Sequence, residues 1–179
     1  MDQELIKQNV NKWYEKYSND IYQYIFFMIG DHELAKDLVH DTFLRSYSHY
    51  LSFRGGSEKG WLFRIARNIA IDFIRKKKPV SYLLNFEMEI KDNTLLPENI
   101  VTLNESEKEL YSALRRLKRS YRDVILLRKL KDFSIQETAQ ILGWNESKVK
   151  TTLFRGLKEL KKELVKGGYQ HETLSRNDG

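Results

Sequence analysis

The chain is predicted to be all-α, with two small helical domains joined by a flexible acidic linker and a helix-turn-helix in the second. Three observations predict it. Apolar residues recur at helical spacing through most of the sequence, the primary signal of amphipathic helices. The only two prolines, Pro79 and Pro97, fall in one acidic stretch, and prolines interrupt helices. Residues 134–150 read as a helix, a tight turn and a second helix. The expected bounds are a first domain over 1–78, a linker over 79–106, a helix-turn-helix domain over 107–166 and a polar tail over 167–179.

In the first domain, Val10, Trp13, Tyr14, Tyr17, Ile21, Tyr24, Ile25 and Met28 define one helical face. Gly30-Asp31-His32 breaks and restarts the chain, and Asp31 is a good N-cap for a helix running to about Tyr50. On that helix Glu33, Asp37 and Asp41 recur at i, i+4 and i+8 beside His40. They read either as an acidic stripe for a basic protein surface or as a solvated face. A metal site needs converging oxygens from more than one segment, and no second segment offers them. Phe53-Arg54-Gly55-Gly56-Ser57 forms a loop. From Trp61 a third helix carries Leu62, Ile65, Ala66, Ile69 and Phe73 on one face and Arg64, Arg67, Asn68, Asp72 and Arg75 on the other, running into Lys76-Lys77-Lys78. Basic groups supply phosphate contacts, and exposed aromatics stack on unpaired bases. A glycine loop beside Phe53 suits a base swung out of its stack. Trp61 and Phe53 fit a core role equally, and Arg75 to Lys78 a solvated helix end.

The linker holds Tyr82, Leu83, Leu84, Phe86, Met88 and Ile90, which read as docking residues or as a tether with a few surface-packed side chains. In the second domain Leu110, Leu114 and Leu117 mark one helix, and Val124, Ile125 and Leu127 another from about Tyr121 to Leu130. Ser134 and Glu137 form an S-x-x-E capping box. Ile135, Ala139 and Leu142 follow at helical spacing, and Gly143 stands where that helix must end. Asn145 caps the next helix, and Glu146 complements its dipole. Val149, Leu153, Leu157, Leu160 and Leu164 form its apolar face, while Ser147, Lys148, Lys150, Thr151 and Arg155 lie opposite. A basic, hydroxyl-rich second helix is the geometry that reads a DNA major groove. Many glycine-joined helix pairs are packing units only, and the basic charge favours DNA binding over that reading.

The 179 residues carry a net charge of +6, with a sequence pI near 9.3. The net charge is +3 over 1–78, −4 over 79–106, +8 over 107–166 and −1 in the tail. Two basic blocks separated by an acidic one suggest two DNA-facing units and a connector. With no cysteine, neither disulfides nor zinc–thiolate sites hold the fold, which suits a reducing cytoplasm. No signal peptide is expected, since Met1 to Val10 alternates polar and apolar residues, and no membrane span, since the most apolar run, Ile21 to Ile29, is too short and contains Gln23. There is no P-loop, HExxH or nucleophile elbow, and His32, His40, His49 and His171 show no ligand spacing. Catalysis, a metal and a cofactor are therefore not expected.

Taken together, these segments resemble the extracytoplasmic-function group of bacterial RNA polymerase sigma factors, over about Tyr14 to Val165. Residues Ala35 to Arg45 (AKDLVHDTFLR) resemble the family's core-binding segment. Trp61 to Asn68 (WLFRIARN) resembles its promoter-melting helix, and Val149 to Leu157 (VKTTLFRGL) ends its helix-turn-helix. The resemblance implies that Asp37, Leu38, Asp41 and Phe43 dock on core polymerase. His40 and Asp41 stand where the family usually has glutamine and glutamate, and Asp41 keeps the charge. It implies that Phe53, Arg54, Ser57, Trp61, Arg64, Arg67, Asn68, Asp72 and Arg75 serve the minus-ten element, the loop and Asn68 capturing an extruded base. It implies that Asn145, Glu146, Ser147, Lys148, Lys150, Thr151 and Phe154 meet the minus-thirty-five element, with Arg155 on phosphate. The implied partners are core RNA polymerase, promoter DNA and an anti-sigma factor, often membrane-bound; no small-molecule substrate is implied. Unstacking a base costs a few kcal/mol, so promoter binding by the chain alone is expected to be weak. The competing reading is a conventional helix-turn-helix regulator with an N-terminal sensing or dimerisation domain.

Overall fold

A computed structural model describes residues 2–77 and 104–167. The expected linker up to residue 103, with its two prolines and apolar residues, and the tail beyond Gly167 lie outside the described residues. Among the described residues the chain is helical without strands, and no helix is long and apolar enough to cross a membrane.

The N-terminal block has three helices, α1 (Gln3–Ile29), α2 (His32–Ser48) and α3 (Glu58–Lys77). Gly30 ends α1 in the left-handed conformation at φ 79°, donating its N–H to the Phe26 carbonyl. That backbone region costs glycine little. Asp31 caps α2 by accepting from the Leu34 N–H at 3.0 Å. A 3-10 turn at Tyr50–Ser52 leads into the glycine loop. The third helix starts at Glu58, before the Trp61 expected from apolar spacing, because Ser57 supplies a start: its Oγ accepts from the Gly60 N–H at 2.9 Å.

The C-terminal block has four helices: α4 (Glu105–Arg116), α5 (Arg119–Ile125), α6 (Ile135–Leu142) and α7 (Glu146–Lys166). The fifth helix widens into a π turn over Leu126–Leu130. Both halves of the capping box form on α6, Ser134 Oγ accepting from Glu137 N–H at 3.0 Å and Glu137 Oε2 from Ser134 N–H at 2.8 Å. Gly143 closes α6 at φ 68°. The last helix crosses α5 closely at Gly156, where a Cβ would stand 3.1 Å from the Tyr121 Cβ.

The two blocks share one buried core. The sequence pattern assigns α1 a single apolar face. The structure also buries Tyr22, Phe26 and Phe27, while Tyr14 of the expected face stays exposed. Cover from the C-terminal block accounts for Phe26 and Phe27. Phe27 stacks on Tyr111 with centroids 4.3 Å apart, the Arg115 guanidinium lies over Phe26, and the Arg122 side chain donates to the Phe27 carbonyl at 3.0 Å. That last bond satisfies a last-turn carbonyl of α1, a group the helix itself leaves unpaired.

Candidate nucleic-acid interface

Three surfaces carry the residues singled out by the sequence. On α2, Glu33, Asp37, His40 and Asp41 are exposed, and the stripe continues through Leu44, Tyr47 and, in the 3-10 turn, Leu51. Leu38 and Phe43 do not belong to this surface. They are buried, and Phe43 meets the Tyr14 ring edge-on at 5.0 Å. Their docking assignment is corrected to a core role, because their side of α2 faces α1 and α3. The exposed apolar groups are Leu44 and Tyr47, 58% and 40% accessible. The signal for them was present in sequence, since positions 33, 37, 40, 44, 47 and 51 keep helical spacing.

On α3, Arg64, Asn68, Asp72 and Arg75 are all exposed and lie at i, i+4, i+8 and i+11. The opposite face buries Leu62, Phe63, Ala66, Ile69 and Ala70. Arg54 and Ser57 are exposed in the preceding loop, whose Gly55 and Gly56 both sit at φ 88° with open space around them. Phe53 and Trp61 are half-buried instead of free for stacking: they pack on each other at 5.3 Å and on Trp13 at 5.6 and 5.8 Å. They brace the loop against α1. Arg67 departs from its expected surface as well. It is half-buried, and its Nε donates to Asp123 Oδ2 of the C-terminal block at 2.8 Å.

On α7, Glu146, Ser147, Lys148, Lys150, Thr151, Phe154 and Arg155 are exposed. Asn145 Oδ1 is occupied in capping, accepting from the Lys148 N–H at 2.7 Å. Its carbonyl oxygen therefore orders the helix start, where free N–H groups and the dipole favour phosphate. Two lysines are held over rings, Lys148 4.2 Å from Trp144 and Lys158 4.5 Å from Phe154. Arg116 anchors the far end of α7 through a 2.9 Å ion pair with Glu163. Hydrogen bonding from Arg116 holds the Glu163 carboxyl below its ordinary value, against a smaller opposing effect of burial.

Asp123 is a functional-surface neighbour that sequence reasoning misses. It is buried and takes hydrogen bonds from Arg67 and from the hydroxyl of fully buried Tyr24. Burial, then the neighbouring Asp123 charge, pushes the Tyr24 hydroxyl well above the usual tyrosine range. The phenol therefore stays a donor. Nothing in local sequence marks Asp123, because its partners lie 99 and 56 residues away. Among the described residues no cluster of His, Cys, Asp and Glu is arranged to hold a metal ion.

An acidic–apolar helix, a loop with a basic helix, and a basic helix-turn-helix thus lie in order along one chain, and family comparisons match that order. The sigma-70 region 2 family model matches residues 13–80, and the sigma-70 region 4 model matches residues 107–160. The extracytoplasmic-function sigma factor SigX of Bacillus subtilis is 40% identical over 157 residues, covering 84% of this chain and 81% of that protein. SigM of the same organism is 33% identical, covering 85% and 93%. The fold is also that of the sigma factor RpoE of Bartonella quintana, solved with the anti-sigma factor NepR (TM-score 0.73, 23% identity, covering 88% of this chain and 97% of that one). The chain belongs to the extracytoplasmic-function sigma factors of RNA polymerase. It is a transcription factor that directs promoter recognition by RNA polymerase. The reading as a conventional helix-turn-helix regulator is not favoured.

Proposed function

We propose that the three surfaces divide the work of initiation. The exposed stripe of α2, Asp37 and Asp41 with Leu44 and Tyr47, docks on core RNA polymerase. The loop at Arg54–Ser57 and the α3 face of Arg64, Asn68, Asp72 and Arg75 engage the minus-ten element, with Arg67 joining them when its tie to Asp123 is released. The first turns of α7 enter the major groove of the minus-thirty-five element, where Ser147, Lys148, Lys150 and Thr151 face bases and Arg155 takes a phosphate. Phe53 and Trp61 hold the loop in shape, and Asn145 holds the start of α7.

The observation that carries this reading is the face of α3. Four polar residues at helical spacing are all exposed, directly after a glycine loop with an open surface. That face offers the hydrogen-bonding edges and nearby cations that an unpaired base needs. An anti-sigma factor is the expected restraint, supported by the fold shared with an RpoE captured beside one. The cytoplasm is the expected compartment, where RNA polymerase works.

A promoter library transcribed by core polymerase with this chain tests the division. Asn68→Ala is expected to relax selection in the minus-ten block alone, and Lys150→Ala with Thr151→Ala in the minus-thirty-five block alone. A library in which either variant changes both blocks equally, or neither, overturns it.

A further inference from the structure

Lysines on α7 are held in two ways. Toward its C-terminal end, Lys162 pairs with Glu159 at 3.1 Å and Lys166 with Glu163 at 3.4 Å. In its first turn, Lys148 is held by an aromatic ring, its ammonium 4.2 Å from the Trp144 ring centroid. The two kinds of partner have different consequences. A carboxylate neutralises an ammonium and occupies its donors. The negative face of an indole attracts the cation but leaves its charge and its remaining N–H groups for another acceptor.

The turn fixes both members of the pair. With Gly143 left-handed at φ 68°, the Trp144 N–H donates to the Ala139 carbonyl at 3.0 Å, the bond that closes a Schellman motif. The indole is half-buried against the core. Across the turn, Asn145 Oδ1 accepts from the Lys148 N–H at 2.7 Å, which sets the lysine backbone. What remains to be ordered is a flexible four-carbon side chain. Its place is a poor one for a cation, because the first turn lies at the positive end of the helix dipole. The Trp144 ring offsets that repulsion and narrows the lysine rotamers together.

We propose that Trp144 is a positioning residue for minus-thirty-five recognition, whose ring face holds the still-charged Lys148 ammonium against the major-groove edge of a guanine. Residues at the start of a recognition helix are those that reach base edges. An ammonium has three donors and no acceptor, so it suits the O6 and N7 acceptor pair of guanine. Adenine and cytosine present an amino donor on that edge, and thymine a methyl group. The inference rests on the proposed placing of Lys148 against bases and adds the ring that aims it.

Holoenzyme formed from core polymerase and the full chain, transcribing a library randomised across the minus-thirty-five block, reads base preference position by position. Lys148→Ala is expected to lose a guanine preference at one position and keep the others. Trp144→Leu is expected to weaken that same preference about two- to fivefold, as for a partly exposed cation–π contact. Trp144→Phe keeps a ring face and is expected to retain more of the preference than leucine does. Ring-fluorinated tryptophan introduced at 144 alone keeps the indole shape while drawing negative charge from its face. It is expected to lower the guanine preference in step with the number of fluorines, and it decides the matter where Trp144→Leu loses helicity. An unchanged preference across the fluorinated series, in a chain where Lys148→Ala abolishes it, overturns the role of Trp144 and leaves Lys148 at the base. Equal loss at every position in Trp144→Leu, unrelieved by phenylalanine, makes Trp144 a packing residue and overturns the proposal as well. A Lys148→Ala chain weakened on all sequences alike assigns the ammonium to phosphate, and that outcome overturns the base-facing placement of Lys148 itself.

Discussion

Gly156 offers a substitution whose sign depends on the close crossing of α5 and α7. In an open helix interior, Gly→Ala stabilises by about 1 kcal/mol through backbone entropy alone. At Gly156 the added methyl would stand 3.1 Å from Tyr121 Cβ, 3.3 Å from Ile125 Cδ1 and 3.4 Å from Tyr121 Cα. The Ile125 methyl can swing aside, but the Tyr121 Cα and Cβ move only with α5. Overpacking of this kind costs about 1–3 kcal/mol, which outweighs the propensity gain. Gly156→Ala is therefore expected to lose about 1 kcal/mol net, read as a lower urea midpoint at constant slope by far-UV circular dichroism. Lys161→Gly, at an exposed position of the same helix, calibrates the propensity effect and is expected to lose about 1 kcal/mol. A Gly156→Ala chain more stable than the parent would refute the reasoning, for it would mean that α7 does not approach α5 so closely.

Leu44→Asp and Asp37→Lys on the exposed α2 stripe are expected to abolish co-elution with core polymerase while leaving the circular dichroism spectrum and melting unchanged; Leu38→Asp, in the core, is expected to unfold the block. For α7, Arg155→Ala should weaken binding to a minus-thirty-five duplex and lower the slope of log affinity against log salt by about 1, the loss of one phosphate contact. Below about pH 4.5, the ordinary glutamate value, the unaltered chain is expected to lose stability that Glu163→Gln has already lost. A carboxyl held low in the fold contributes fully above its unfolded value, and the contribution fades as pH falls through its folded value. Because Arg116 is half exposed, the difference is expected to stay within about 1 kcal/mol, and parallel acid melts of the two chains check it.

The helices with their own local signals were legible in the sequence. Asp31, Ser134 and Asn145 cap where their side chains predict, and Gly30 and Gly143 stop α1 and α6, because capping is decided within four residues. Faces were legible where one side meets solvent, as at Arg64, Asn68, Asp72 and Arg75 of α3, but not at Arg67, which the C-terminal block covers. They failed where a second block adds cover. Phe26 and Phe27 break the single-stripe pattern of α1 because α4 and α5 pack on them. Leu38 and Phe43 sit inside a motif that reads as a docking segment, yet burial depends on which side α1 covers, and motif spacing does not encode that. Asp123 was invisible for the same reason. A buried carboxylate is recognisable only by its partners, and Tyr24 and Arg67 reach it from distant parts of the chain. Charge along the chain marks two basic blocks but says nothing about their docking.

Run-off transcription tests the central claim most directly: core RNA polymerase on a pool of upstream genomic fragments, with and without this chain. Transcripts that appear only with the chain, and whose start sites align behind two shared blocks, are the predicted result. Specific duplex binding by the chain alone, with no new transcript from core polymerase, would contradict the account.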